Sequence, residues 1–138
     1  MEEQIRVLLV EPGEHPRLVT VAHTLENLQE LVGGSIQAVF PFPEPVAVVC
    51  DDEGKFKGYV PNRALVDEEG EPYDIIAGTF FVCGLTVDNF TSISNELEKQ
   101  FRERFYWPEM FMRTLEGQIL WIKLKPGEMP RVIDKGRS

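Results

Sequence analysis

The sequence has little of what metal and disulfide chemistry need. It contains two cysteines, Cys50 and Cys83, and two histidines, His15 and His23, in 138 residues. No C-x-x-C or H-x-x-x-H spacing occurs, so the pattern of a zinc site is missing. Both cysteines stand inside apolar, strand-like runs, where a free cysteine usually behaves as a small buried hydrophobe. We therefore expect no metal site, no cofactor and no structural disulfide.

Long hydrophobic runs are also missing. The longest apolar stretches, such as residues 7–10 and 46–50, have the length of strands, whereas a bilayer span needs about 20 apolar residues. The N-terminus reads Met1-Glu2-Glu3-Gln4, which is acidic where a signal peptide would be basic. These features predict no membrane span and a cytoplasmic location.

Motifs for catalysis and phosphate binding do not occur either. Neither residues 12–13 nor residues 33–34 fit the G-x-x-x-x-G-K or G-x-G-x-x-G patterns that cradle phosphates. Cys83 has no neighbouring sign of a nucleophile elbow or an oxyanion site. The acidic turns at residues 51–54 and 67–71 lack the ligand spacing of a calcium loop, and we interpret them as solvated turns. The sequence therefore predicts a protein that is not an enzyme.

The chain is acidic, with a formal net charge of −9 at pH 7. This charge argues against a general nucleic-acid binder, because affinity for phosphate backbones comes chiefly from clustered Lys and Arg. Residues 120–138 carry about +3 and the rest of the chain about −12. Such a basic tail either docks on an acidic body, its own or a neighbour's, or is simply solvated.

What the sequence does contain is the composition and patterning of one α+β domain. Its hydrophobic content of 43% and charged content of 27% are ordinary globular values. Apolar runs bounded by turn residues predict strands over residues 5–10, 17–22, 36–40, 46–50, 55–60, 73–85 and 119–124. One helix is predicted from the N-cap Thr24 to a stop at Gly33-Gly34. A second, capped by Thr91, Ser92 or Ser94, carries Ile93, Leu97, Phe101 and Phe105 every four residues.

These elements predict a mixed, mostly antiparallel sheet with two helices that cover largely one face. The order of two strands, a helix and further strands favours a β-grasp-like arrangement. Residues 1–107 form the domain, and residues 108–138 add a strand and a basic tail on the same domain or on a neighbouring subunit. Gly78 and Gly84 interrupt the longest strand pattern, which indicates bulges or a close approach to the backbone.

The two ends of the chain share a short repeat. Residues 12–19, Pro-Gly-Glu-His-Pro-Arg-Leu-Val, recur as Pro-Gly-Glu-Met-Pro-Arg-Val-Ile at residues 126–133. The match is either a chance reuse of common hairpin residues or a second copy of the first hairpin that pairs with a sheet edge.

One polar constellation offers a candidate ligand site. We expect Asn62, Arg63, Tyr73, Asp74 and Thr79 to meet at one end of the sheet. An arginine, an amide, a phenol and glycine-exposed backbone can bind a phosphate or a planar base through forked donors and stacking. The alternative is that Arg63 pairs with Asp74 or a loop glutamate and merely fixes the loop.

Four blocks together resemble a known family: residues 5–13, 24–34, 61–65 and 73–82. The chain is similar, from about Ile5 to Phe105, to the family catalogued as domain of unknown function 3846. Members of that family are typically encoded in bacteriophages and mobile elements of Gram-positive bacteria. The resemblance therefore implies an accessory role carried by such an element, and it supplies no catalytic residues.

Two functions follow as expectations. The first is a cytoplasmic, homo-oligomeric accessory protein that counters host defence by sequestering a small nucleotide-like signal, with no direct nucleic-acid or membrane partner. The alternative is an acidic protein that binds and inhibits a host defence enzyme or a nucleic-acid enzyme, through contacts that weaken with salt.

Overall fold

The computed structural model describes residues 3–124, which form ten strands and two helices. The first half contains β1 (Gln4–Val10), β2 (Arg17–Ala22), α1 (Leu25–Val32), β3 (Ile36–Val39), β4 (Val46–Asp51) and β5 (Pro61–Val66). The second half contains β6 (Pro72–Ala77), β7 (Phe80–Leu85), β8 (Phe90–Thr91), α2 (Asn95–Arg104), β9 (Glu109–Arg113) and β10 (Ile119–Lys123). No helix in this part of the chain has the length and apolar character needed to cross a bilayer.

A central antiparallel sheet organises the fold. Its strand order is β2-β1-β7-β4-β3, and the short β8 pairs with the end of β7. The inner strands β1, β7 and β4 are apolar at consecutive positions, as in the fully buried run from Val46 to Val49. Because alternate side chains point to opposite faces, such a strand presents an apolar surface on both sides of the sheet.

Each face of the sheet is therefore covered by a different layer. On one face, Leu28 and Val32 of α1 pack against Val7, Val49 and Phe81. On the other face, the core cluster combines α2 residues with the hairpin β5–β6 and with alternate residues of the sheet: Leu8, Val10, Val46, Val48, Leu65, Ile76, Phe80, Val82, Ile93, Phe101 and Phe105. The sequence predicted both helices largely on one face, and this detail is wrong because two apolar faces each need a cover.

The helix boundaries follow the predicted caps. The Thr24 hydroxyl accepts a hydrogen bond from the Asn27 backbone N–H at 3.2 Å, and α1 ends at Gly33 with a φ of +93°. Ser94 caps α2 by accepting from the Leu97 N–H at 3.2 Å. The α+β class, the predominance of antiparallel strands and the two helices are thus confirmed.

The strand predicted over residues 55–60 does not form. Residues 52–58 are turns, and Phe56 is 92% exposed. The chain there is held by polar contacts with the end of β4, since Lys57 and Tyr59 donate hydrogen bonds to the buried Asp51 carboxylate. The next strand, β5, pairs instead with β6 in a separate two-stranded sheet.

The longest predicted strand, residues 73–85, is two strands in different sheets. The chain bends at Gly78, whose φ of +84° suits glycine, and β6 and β7 on either side of it belong to different sheets. The expected close approaches are confirmed, because an added Cβ at Gly78 would meet the Tyr59 ring and one at Gly84 would lie 2.6 Å from the Ser92 carbonyl oxygen.

A final hairpin, β9–β10, projects from the domain beside β5. The sequence predicted β10 but not β9, which pairs with it antiparallel so that Trp121 lies opposite Phe111. Of the repeated segments, the first forms the turn between β1 and β2 and the start of β2. The second repeated segment, residues 126–133, lies outside the described residues, as does most of the basic tail.

Candidate functional site

Arg63, the centre of the predicted ligand site, lies fully inside the protein. Its side chain on β5 is 0% exposed. The guanidinium donates to the Phe105 carbonyl oxygen from Nε at 3.1 Å and from Nη2 at 2.9 Å, and to the Glu14 carbonyl oxygen from Nη2 at 2.7 Å. Nη1 donates to the Asn62 side-chain oxygen at 2.8 Å and to its main-chain oxygen at 3.3 Å. All five N–H donors of an arginine are therefore engaged.

Asn62 completes this arrangement, which we call the Arg63 clamp. Its Nδ2 donates to the carbonyl oxygens of Val10, at 3.0 Å, and Gly78, at 2.8 Å. Burial lowers the pKa of Arg63 to about 10, and the nearby Glu109 carboxyl opposes this effect, so the guanidinium is charged at neutral pH. The clamp ties the end of β1, the first turn, the end of α2 and the β6–β7 turn together, and it leaves no donor for a ligand.

The other three predicted residues lie apart from the clamp. Tyr73 is 57% exposed on β6, and Thr79 is half-buried in the turn after that strand. The Asp74 carboxylate accepts a hydrogen bond from Lys55 Nζ at 2.6 Å, so the alternative pairing with Arg63 is replaced by a surface ion pair. The predicted constellation is thus split between the interior and the surface, and Tyr73 is the member that borders a large open groove.

This groove, the Trp121 groove, has a volume of about 850 Å³. It opens between the β5–β6 hairpin, the segment before β4, the end of α2 and the β9–β10 hairpin. Its lining residues are Pro41, Phe42, Pro43, Glu44, Ala64, Val66, Asp67, Glu68, Gly70, Tyr73, Arg104, Phe105, Glu109, Trp121 and Lys123. Tyr73 and Trp121 also line a neighbouring cavity of about 470 Å³, so the two rings form a shared wall.

Aromatic and cationic groups face each other in the Trp121 groove. Besides Tyr73 and Trp121, the Phe42 ring carries the Arg104 guanidinium 4.4 Å from its centroid. Lys123, at the end of β10, contributes the second cation. Such rings offer stacking surfaces for planar ligands, and the cations offer partners for a phosphate or carboxylate.

Glu109 is the most unusual group in the groove. It is 8% exposed, and one carboxyl oxygen accepts the Ala64 backbone N–H at 2.9 Å. Burial raises the pKa of Glu109, while the hydrogen bond from Ala64 and the charges of Arg63 and Lys123 lower it; the net effect is upward. The second carboxyl oxygen has no hydrogen-bond partner within residues 3–124. A buried acceptor of this kind is costly unless something donates to it.

Two other polar clusters are internally satisfied. Burial alone would raise the pKa of Asp51, but hydrogen bonds from Lys57, Glu53 and Tyr59 lower it. Lys57 Nζ and the Tyr59 hydroxyl lie 2.8 and 2.9 Å from the same Asp51 oxygen, so this cluster anchors the turn at residues 51–59. On another surface, His15 stacks on the Tyr106 ring at 4.0 Å. Within the described part of the chain, no three His, Cys, Asp or Glu side chains are grouped to hold a metal ion.

Sequence reasoning missed Glu109, Arg104 and Trp121. For Trp121 the available signal was the alternation of β10, which places Ile119, Trp121 and Lys123 on one face of the strand. Cys83, considered as a nucleophile, is buried, and burial raises the pKa of its thiol to about 12. The groove therefore contains groups for binding, and the buried thiol is far from the thiolate form that nucleophilic chemistry needs.

Comparison with known proteins gives one match. The family model described as a domain of unknown function, DUF3846, matches residues 5–106. No curated protein and no solved structure matches the chain. The matched region ends just before β9, so the β9–β10 hairpin lies beyond it.

Proposed function

The chain belongs to the DUF3846 family, and we propose that it is a non-enzymatic binding protein that sequesters a small nucleotide-like molecule in the Trp121 groove. We further propose that the molecule is a host defence signal and that the protein acts in the host cytoplasm. This second step rests on the phage and mobile-element setting that the family resemblance implies.

The observation that carries the proposal is the position of Glu109 in the floor of the groove. Its second carboxyl oxygen has no hydrogen-bond partner among residues 3–124, and a donor from a ligand would satisfy it, because an unsatisfied buried acceptor costs about 1–3 kcal/mol. The amino and ring N–H groups of nucleobases and the hydroxyls of ribose are such donors, and carboxylates commonly bind them. Glu109 therefore favours a nucleoside-like ligand over a purely apolar one.

The aromatic wall supports the same class of ligand. Tyr73 and Trp121 line the groove together, and stacking of a base on an aromatic side chain contributes about 1–3 kcal/mol. The groove volume of about 850 Å³ lies within the range of small-molecule sites, roughly 300–1,000 Å³. The site is thus large enough for a whole nucleotide.

The charges limit how many phosphates the ligand carries. Arg104 and Lys123 are the cations of the groove, while its lining also includes Glu44, Asp67 and Glu68. A polyphosphate would meet these carboxylates as well as the two cations, and like charges at close range repel. We therefore propose a ligand with few phosphates, held near Arg104 or Lys123.

The first test is native mass spectrometry of the full chain purified gently from bacterial cells. We expect a retained mass of nucleotide size. Adenosine and guanosine monophosphates then serve as probes in calorimetry and in tryptophan fluorescence. A chain that carries no extra mass and gives no signal with either probe would contradict the proposal.

Two variants test the site itself, with Trp107→Ala as a matched control. Trp121→Ala should raise the Kd about tenfold or more, since stacking is lost. Glu109→Gln should weaken binding similarly. The glutamine oxygen still accepts the hydrogen bond from the Ala64 N–H, but the glutamine NH₂ group, itself a donor, then faces the donors of the ligand. Trp107 is 38% exposed and packs against His15 and Tyr106 outside the groove. Equal losses in all three variants would argue against this groove.

The alternative function, an acidic protein that inhibits a protein partner, is favoured by the loop between β5 and β6. Its four carboxylates at Asp67, Glu68, Glu69 and Glu71 are all exposed. If the chain is bare in the mass spectrum, a partner captured at low salt and released at high salt would support this alternative.

A further inference from the structure

The last described residues bring the chain to the edge of the Trp121 groove. The Leu124 N–H donates to the Pro108 carbonyl oxygen at 2.6 Å, and Lys123 pairs across the hairpin with Glu109. Lys123 and Glu109 both line the groove, and Leu124 is buried. Residues 125–138, which we call the C-terminal segment, therefore begin within two residues of the groove lining.

The C-terminal segment and the groove carry opposite charges. The groove lining contains two cations and four carboxyl groups, those of Glu44, Asp67, Glu68 and Glu109. The net charge of the segment is +2, because it has two acidic residues and four basic ones, Lys125, Arg131, Lys135 and Arg137. Opposite charges attract more strongly where water is partly excluded, as it is in a groove. The carboxyl groups that disfavour a polyphosphate therefore favour a basic peptide.

Two further features of the groove match the composition of this segment. The second carboxyl oxygen of the buried Glu109 has no partner among residues 3–124, and an arginine presents a fork of N–H donors that suits a carboxylate. The wall formed by Tyr73 and Trp121 offers apolar surface. Residues 126–133 supply apolar side chains for such a wall, namely one methionine, one valine, one isoleucine and two prolines.

The segment is also long enough to enter the groove. Arg131 follows Leu124 by seven residues, and seven extended residues span up to about 23 Å. This reach is more than twice the edge of a cube with the groove volume of about 850 Å³. A segment attached so close to its site acts at an effective concentration in the millimolar range. A separate peptide or a second copy of the chain does not reach that concentration in dilute solution.

We propose that the C-terminal segment lies in the Trp121 groove when no ligand is bound, and that Arg131 donates to the Glu109 carboxylate there. The regulatory consequence rests on the proposed function: the segment competes with the nucleotide-like ligand for the same site. The apparent affinity is then the intrinsic affinity reduced by the fraction of molecules whose groove is open.

Carbodiimide cross-linking of the full chain tests the docking without any ligand. The reagent joins a lysine amine to a carboxylate that is in contact with it. Lys135 is the diagnostic residue, because Lys125 lies next to the hairpin base in any case. In dilute protein at low salt, we expect peptide mass spectrometry of the monomer to find Lys135 joined to Glu44, Asp67 or Glu68. These links should be lost in about 1 M salt, where the Debye length is about 3 Å.

Arg131→Ala tests the competition, with adenosine and guanosine monophosphates as probes in calorimetry. Release of the segment should lower the Kd about threefold or more. Loss of a positive charge alone would raise the Kd of an anionic probe, so the two effects have opposite signs. The matched control is Arg113→Ala, which removes the same charge from an exposed position outside the lining of the Trp121 groove. This control should not lower the Kd.

Failure of this inference and failure of the proposed function give different results. Cross-links from Lys135 to the groove in a chain that binds neither probe would support the docking and contradict the proposed function. A Kd that is the same in the wild type and in Arg131→Ala would overturn the competition. Cross-links of Lys135 that are absent, confined to a dimer or directed to carboxylates outside the groove would overturn the docking, whether or not the chain binds a nucleotide.

Discussion

Arg63 illustrates how a single residue can hold several parts of a chain together. It donates to carbonyl oxygens of two segments distant in sequence, Glu14 in the β1–β2 turn and Phe105 at the end of α2, and to its neighbour Asn62. Main-chain oxygens are fixed by the fold, so an arginine buried among them acts as part of the core. This geometry explains why a residue that sequence patterns favour for ligand binding is closed to solvent.

Arg63→Ala should lower the free energy of unfolding by about 3 kcal/mol or more, because buried carbonyl oxygens lose their donors. Arg63→Lys should recover only part of the loss, since a lysine cannot reproduce the planar fork. Urea denaturation followed by circular dichroism measures both. An alanine variant with an unchanged midpoint would contradict the role of the clamp.

Glu109 should make stability depend on pH in a defined direction. The pKa of Glu109 is raised in the folded protein. Its contribution to the free energy of unfolding is therefore full below the ordinary glutamate pKa of about 4.3, and it is lost as the pH rises through the pKa of the folded state. The ionised, buried carboxylate is then a cost at neutral pH. Glu109→Gln should thus be more stable than the wild type at pH 7.5, with a smaller difference at pH 5.

The measurement for Glu109 is the urea midpoint of both proteins at the two pH values. The comparison with the wild type cancels the other carboxylates, which titrate in both proteins. If the difference in urea midpoint between the two proteins grew toward acid pH, the Arg63 charge would have a larger effect on the pKa of Glu109 than burial has.

At the scale of elements, helices could be predicted where their capping residues lie next to them in the sequence. The caps Thr24 and Ser94 and the stop at Gly33 are contiguous with their helices, so α1 and α2 could be predicted. The same reasoning was wrong for residues 55–60, because their alternation resembles a strand while their conformation depends on hydrogen bonds to the buried Asp51 carboxylate. Such side-chain hydrogen bonds leave no periodicity in the sequence.

The turn at Gly78 separates two sheets, and its substitution tests that separation. Gly78→Ala should destabilise the protein by more than Gly58→Ala, although both positions have positive φ, +84° and +77°. An added Cβ meets the Tyr59 ring at Gly78 but nothing within 4 Å at Gly58. Backbone strain alone costs about 1–3 kcal/mol, and the steric clash adds to it. Thermal unfolding of the two variants gives the comparison, and equal losses would exclude the steric contribution.

At the scale of the whole molecule, the candidate site could be predicted only in part. Tyr73 was selected from the sequence and does line the Trp121 groove. The groove is assembled from segments as distant as Phe42 and Lys123, and no local pattern joins them. Asn62 and Arg63 were chosen for their chemistry, but chemistry does not reveal whether a side chain faces the solvent or the core.

The boundary of the family match passes between the two walls of the groove. Phe42, Tyr73 and Arg104 lie inside residues 5–106, whereas Glu109 and Trp121 belong to the hairpin beyond them. The hairpin is a local unit, closed by the Leu124 N–H bonding to the Pro108 carbonyl oxygen at 2.6 Å. A chain that exchanged this one unit would retain its central sheet and acquire a differently shaped groove. If the groove binds a ligand as proposed above, changes confined to this hairpin would alter which ligand the groove accepts and leave the central sheet unchanged.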